Sequence, residues 1–200
     1  MITFDQLTQA VQAGPSAGSS DFDLNPEFKN QLPEGRKLRA ASVLVPVIER
    51  NGALSVILTK RASQLKHHAG QVAFPGGKVE AGETSEAAAL REAYEEIGLP
   101  PRAVQVIGSL DIHETVTSFS ITPFIAQTES FVPVLNTGEV EELFEVPLDF
   151  LMRTENMQVQ GRNWQGRRRQ YYTIPYGPYY IWGATARMIK ALADKVARCG

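Results

Sequence analysis

The stretch FPGGKVEAGETSEAAALREAYEEIGLPP, residues 74–101, decides how this chain is read. Its first ten residues are rich in glycine and its remainder is written as a helix. Thr84 or Ser85 can cap the helix N-terminus, Ala87 to Leu90 are strong helix formers, and Gly98 with Pro100-Pro101 ends it. At about 100° per residue, Leu90, Ala93, Tyr94 and Ile97 share one arc and are expected to face a core. Glu92, Glu95 and Glu96 fall on the opposite arc. Like charges one turn apart destabilise a bare helix, and a bound divalent cation would remove that repulsion. An all-oxygen set favours a hard ion, Mg²⁺ or Mn²⁺, over zinc. Taken alone, three glutamates on a helix are as well explained by a solvated acidic face.

The residues around the glutamates change that balance. Arg91 stands one turn before Glu95, Glu83 precedes the helix, and Gly76, Gly77 and Gly82 let the loop fold tightly. Gly77, five residues, Glu83, seven residues, then Arg91-Glu92-Ala93-Tyr94-Glu95-Glu96-Ile97-Gly98-Leu99 is similar to the Nudix box at every fixed position. Seven fixed residues at ordinary usage of about 6% each, with two apolar positions, coincide by chance roughly once in 10⁹ starts. Ala93 is smaller than the apolar residue usual at its place. The resemblance implies an α+β fold, the Nudix α/β/α sandwich with a mixed β-sheet, and hydrolysis of a nucleoside diphosphate linked to another group. It implies metal ligation by Glu92, Glu95 and Glu96, helped by the Gly76 carbonyl, with Arg91 orienting the carboxylates. Metal-assisted attack of water on phosphorus needs a general base as well. Glu139, Glu141 and Glu142, after Thr137-Gly138, are the candidates, and Glu139 is preferred.

The segment Leu58-Thr59-Lys60-Arg61-Ala62 through Gly70 to Phe74-Pro75-Gly76-Gly77 resembles the motif upstream of the box in coenzyme A diphosphatases. That resemblance implies a coenzyme A diphosphatase releasing 3′,5′-ADP and 4′-phosphopantetheine, with Arg61, Lys66, Phe74 and Gly77 toward the substrate. Lys66 stands where the family pattern has arginine, so a point charge replaces a bidentate phosphate fork. A hydrolase of ADP-ribose or a related dinucleotide is therefore the alternative, and a non-catalytic nucleotide-binding or regulatory module is an alternative of another class. His67 and His68 read as loop residues. Tyr176–Ala186 also looks like the segment that follows the core in this subfamily, its aromatics serving packing more than base stacking.

The rest of the chain bounds these readings. A length of 200 residues with 43% hydrophobic content suits one domain. Residues 1–35 are expected to be an N-terminal helix (Phe4, Leu7 and Val11 at helical spacing) and a flexible linker, GPSAGSS at 14–20; residues 36–200 are expected to form the Nudix domain. Runs at 40–48 and 54–59 around Asn51-Gly52 predict a hairpin. Strands are expected at 103–110 and 120–126, an acidic turn and short helix within 139–152, a basic-tipped hairpin at 158–174 and a helix at 185–197. A net charge of -2 argues against nucleic acid as a partner, despite Arg162, Trp164 and Arg167 to Arg169 at the hairpin tip. One cysteine, Cys199, no secretory signal and no membrane-length apolar run point to a cytoplasmic enzyme of a small-molecule substrate, possible as a homodimer.

Overall fold

The structure, a computed structural model, describes residues 1–14, 18–33, 35–164 and 166–199, without the Trp164 side chain. The first half comprises α1 (Phe4–Gln12), β1 (Ser19–Ser20), α2 (Pro26–Lys29), β2 (Arg39–Arg50), β3 (Ala53–Arg61), β4 (Val72–Ala73), β5 (Gly76–Lys78) and α3 (Ser85–Ile97). The second comprises β6 (Val104–Ser109), β7 (His113–Glu114), β8 (Phe119–Thr128), β9 (Val140–Pro147), α4 (Leu148–Met152), β10 (Gln158–Trp164), β11 (Arg167–Tyr176), β12 (Tyr179–Trp182) and α5 (Gly183–Cys199).

The expected hairpin forms the spine. Asn51 and Gly52 both take positive φ, 52° and 79°, the turn geometry whose twist matches two antiparallel strands. Strand β2 runs antiparallel to β3 on one side and parallel to β8 on the other, in register from Arg39 against Phe119 to Ile48 against Thr128. Because side chains alternate along β2, Leu44 and Ile48 enter one core with Ala89, Ala93 and Ile97 of α3. Val45 and Val47 enter a second core with Leu7 and Val11 of α1, Leu148 and Leu151 of α4, and Ile189 and Leu192 of α5. A mixed sheet with helices on both faces is the α/β/α sandwich that the sequence led us to expect. A separate three-stranded sheet, β10-β11-β12, stands beside it.

Several expectations require correction. Within 139–152 the short helix after Pro147 forms as α4, but the acidic stretch before it is strand: β9 pairs with β3 along its length, burying Val140, Phe144 and Val146. Glu141 and Glu145 turn outward to meet Lys60 and Arg50, while the half-buried Glu142 bonds Tyr179, so the run of charge masked the strand. Tyr94 does not face the core but is 57% exposed, whereas Glu96 is only 3% exposed. The buried stripe of α3 is narrow, built on Ala89, Ala93 and Ile97, and the helix rolls Glu96 rather than Tyr94 toward the sheet. The closing helix starts at Gly183, and β12 occupies part of the aromatic run before it.

The N-terminal helix is docked against the sandwich. Thr3 and Gln6 form a reciprocal capping box on α1, and the buried Lys195 ammonium donates to the Gly14 carbonyl. Of the expected linker, residues 15–17 lie outside the described residues, and Ser19–Ser20 pair in parallel with His113–Glu114. The buried His113 ring joins them further, with Nδ1 2.7 Å from Ser19 Oγ and Nε2 3.3 Å from Asp21 Oδ1. Gln165, at the tip of the basic hairpin, also lies outside the described residues. Leu7 is fully buried where α1 meets the core, so Leu7→Ala is expected to lower unfolding stability by about 2–5 kcal/mol. Urea denaturation checks this; a change below about 0.5 kcal/mol would mean that α1 lies outside the cooperative unit.

Candidate active site

Helix α3 carries the acidic cluster at an electrostatically awkward end. Its N-terminus is closed by Thr84 Oγ1, which accepts from the Ala87 N–H at 3.1 Å. Its C-terminus is closed by Gly98 at φ 70°, a left-handed conformation that glycine adopts at little cost. Glu92, Glu95 and Glu96 occupy the last two turns, and no basic residue stands in the last one. The negative end of the helix dipole therefore adds to their mutual repulsion.

Arg91 offsets part of that charge. Its guanidinium donates to Glu83 through Nε (3.2 Å) and Nη2 (2.8 Å), to Glu92 through Nη1 (3.0 Å) and to Glu95 through Nη1 (3.1 Å). Nη2 also donates to the Lys78 carbonyl at 3.1 Å, which ties the glycine loop to the helix. The Arg91 hydrogen bond, with one from the Glu80 N–H, holds the Glu83 carboxyl below its usual range. Glu92 is shifted the other way. Burial raises it despite Arg91, and Glu95 and Glu139 raise it further.

Glu96 is the deepest of the group. Burial pushes its carboxyl up to about 7 against the pull of the Gly76 N–H and Arg61, with Glu92 and Glu139 adding repulsion. Gly76 N donates to Oε2 at 3.1 Å, and Arg61 Nη1 lies 3.6 Å from Oε1. The two glycines make the approach possible. A Cβ on Gly76 would collide with the Ser42 carbonyl and Val43, and one on Gly77 would collide with the Glu92 carboxyl. A larger residue at Gly76 would push the loop off β2, and one at Gly77 would displace the Glu92 carboxyl from its place.

The segment after β8 delivers Glu139. Val134 N and Asn136 N donate to the Ile97 and Glu96 carbonyls at 3.1 and 2.9 Å, satisfying groups that the helix end leaves open. Ala62 N donates to the Glu139 carbonyl at 2.8 Å, fixing the segment against the end of β3. Glu139 consequently acts electrostatically on both Glu92 and Glu96. The other two base candidates point elsewhere: Glu141 is bonded to Lys60 and Ser63, and Glu142 accepts from the Tyr179 hydroxyl.

The donor set suits a hard divalent cation. Glu92 and Glu96 carry carboxylates that burial and mutual repulsion disfavour as bare anions, and their oxygens match Mg²⁺ or Mn²⁺ chemistry. Among the described residues no three acidic, histidine or cysteine side chains form a ready-made cage. Arg91 holds Glu92 and Glu95, so a cation bound by these carboxylates would have to displace arginine contacts.

A cavity of about 540 Å³, a size suited to a nucleotide-scale ligand, opens beside the glycine loop; Arg61, Gly76 and Gly77 connect it to the acidic cluster, whose glutamates do not themselves line it. Arg61, Phe74, Gly76 and Gly77 border it, although most of Phe74 packs into the core. Lys66 and His67 are exposed and do not line it. His68 does, with Nδ1 2.9 Å from Gln71 Oε1. The far wall comes from residues that sequence patterning did not assign to a site: Asp21, Arg169, Tyr171 and Trp182. They are scattered over both ends of the chain, and the arginine-rich hairpin was their one visible sign.

Residues 38–165 match the NUDIX domain model. The chain is 42% identical over 160 residues to the uncharacterized Nudix hydrolase NudL of Cronobacter sakazakii, spanning 79% of this chain and 83% of that protein. Its counterpart from Salmonella paratyphi B is 40% identical over the same extent. Among solved structures, a MutT protein from Methanosarcina mazei aligns with a TM-score of 0.47 at 17% identity, covering 84% of this chain and 96% of that one. The domain match across the sheet and α3, with relatives this similar over most of both chains, means that the chain belongs to the Nudix family and is a hydrolase of nucleoside diphosphate derivatives.

Proposed function

We propose that the protein hydrolyses the diphosphate of coenzyme A or its derivatives, releasing 3′,5′-ADP and 4′-phosphopantetheine or its acyl form. The observation that carries this reading is the run from Leu58 to Gly77, whose Arg61 and Phe74 border the cavity beside the acidic cluster. In this reading Glu92, Glu95 and Glu96, with the Gly76 carbonyl, hold Mg²⁺ or Mn²⁺, and Arg91 keeps the carboxylates in order. The cation, when bound, polarises the diphosphate oxygens and acidifies the attacking water. Arg61 spans the acidic cluster and the cavity, where it binds diphosphate oxygens. Gly77, having no side chain, leaves room for the Glu92 carboxyl at the edge of the cavity, and Phe74 walls the reacting end against water. Glu139 accepts the proton of the attacking water, an assignment supported by its charge acting on both Glu92 and Glu96 while Glu141 and Glu142 are bonded elsewhere.

A second reading, hydrolysis of ADP-ribose or a related dinucleotide, is favoured by one observation: Lys66 is exposed and away from the cavity, where it adds little to selection. A panel of coenzyme A, dephospho-coenzyme A, ADP-ribose and NADH with Mg²⁺ or Mn²⁺ separates the two. Coenzyme A is expected to be cleaved fastest; faster cleavage of ADP-ribose would remove the coenzyme A reading. Chelation by EDTA is expected to abolish turnover, and added Mg²⁺ to restore it.

Two substitutions test the roles. Glu96→Gln is expected to remove most turnover with the circular-dichroism spectrum unchanged, and near-normal activity at saturating Mg²⁺ would take Glu96 out of the site. Glu139→Gln is expected to lower kcat about 10²–10⁴-fold, the range for a lost general base. An unchanged kcat would assign the base elsewhere.

A further inference from the structure

The far wall of the cavity places two arginines where a sheet does not ordinarily put them. Arg162 of β10 and Arg169 of β11 stand directly opposite each other in the antiparallel register, a like-charge pair that costs stability. Arg169 is partly compensated by Asp21 Oδ2 at 3.4 Å. Arg162 has no ion pair among the described residues; its guanidinium lies over the Trp182 ring, 4.8 Å from the centroid. Tyr171 meets Trp182 edge-on at 5.4 Å, and it shares the face of Arg169 because it is two residues along β11. All four side chains line the cavity that begins at Gly76, Gly77 and Arg61. The described lining holds five cationic side chains (Arg61, Lys78, Arg162, Arg169, Arg187) and one carboxylate, Asp21. One cavity therefore runs from the glycine loop beside the acidic cluster to a surplus of positive charge and two half-buried rings.

We propose that Arg162 and Arg169, with Trp182 and Tyr171, form the subsite for the phosphorylated nucleoside end of the substrate. The arginine pair receives the phosphomonoester and the aromatic pair receives the base. A phosphate dianion between the guanidiniums turns their repulsion into two charge-assisted contacts, and the planar forks suit its oxygens. The stacking of Arg162 on Trp182 holds the fork ready. Identifying that phosphate as a 3′-phosphate on adenosine rests on the coenzyme A reading above. Selectivity then comes from the C-terminal sheet and the N-terminal segment rather than from Lys66.

The test is calorimetric titration of the full chain in Mg²⁺ buffer with 3′,5′-ADP and with 5′-AMP. Neither probe contains a diphosphate bond, so the result is separate from turnover on coenzyme A. The protein is expected to bind 3′,5′-ADP roughly 10-fold or more tightly than 5′-AMP, the effect of hydrogen bonds to a charged group. Arg162→Gln should erase most of that preference. Arg168→Gln, on the other face of β11, should keep it. Equal affinity for the two nucleotides in the unaltered protein would overturn the subsite. So would a preference surviving Arg162→Gln, or one lost equally with Arg168→Gln, which would mean only general positive charge.

Discussion

A carboxylate kept almost wholly out of water is the constraint around which this structure is arranged. Glu96 can occupy its place because Gly76 and Gly77 bring a backbone close enough to donate to it, and because Arg61 supplies a partial countercharge. Each of those positions is set by pairing elsewhere. Gly76 and Gly77 are held against β2, opposite Val43 and Ser42, and Arg61 terminates a strand paired with β9. The Glu96 carbonyl meanwhile accepts from Asn136, which fixes the segment bearing Glu139. Removing either partner takes away a contact that favours the charged form and leaves burial to hold Glu96 protonated, unable to serve as an anionic ligand. The sheet, the glycine loop and the third acidic segment are thus coupled through one residue.

Much of this was readable from residue order alone, because local signals agreed with one another. The Asn51-Gly52 turn, the caps of α3 and the spacing from Gly77 to Leu99 each state a geometry that the fold adopts. Where local and tertiary forces compete, the reading failed. Tyr94 is apolar enough to suggest a core position, but the helix rolls so that Glu96 takes the buried side. In β9, glutamates on the outward face hid a strand whose inward residues are Val140, Phe144 and Val146. The cavity wall was illegible for another reason. Asp21 lies more than a hundred positions from Arg169, Tyr171 and Trp182 and meets them only after β10, β11 and the N-terminal segment have packed, so no spacing rule connects them.

The family match ends near the tip of the basic hairpin, yet the cavity does not. Asp21 and Ser20 come from before residue 38, and Arg169, Tyr171, Tyr172 and Trp182 from after residue 165. The segments flanking the family domain build the side of the cavity away from the acidic helix. The burial of His113 between Ser19 and Asp21 fastens one flank to the sheet. Packing of α5 against β11 fastens the other. The acidic helix thus belongs to the family domain, and much of the cavity wall to the two flanks.

The clasp between Lys195 and the Gly14 carbonyl, with α1 lying along α5, has a consequence for synthesis. A chain emerging amino end first can assemble β2, β3 and α3 long before α5 is available. Until then α1 has no helix to lie against, and one wall of the cavity is missing. Until α5 is made, the acidic helix is present without Ala184, Thr185, Arg187 and Met188, which complete the cavity lining.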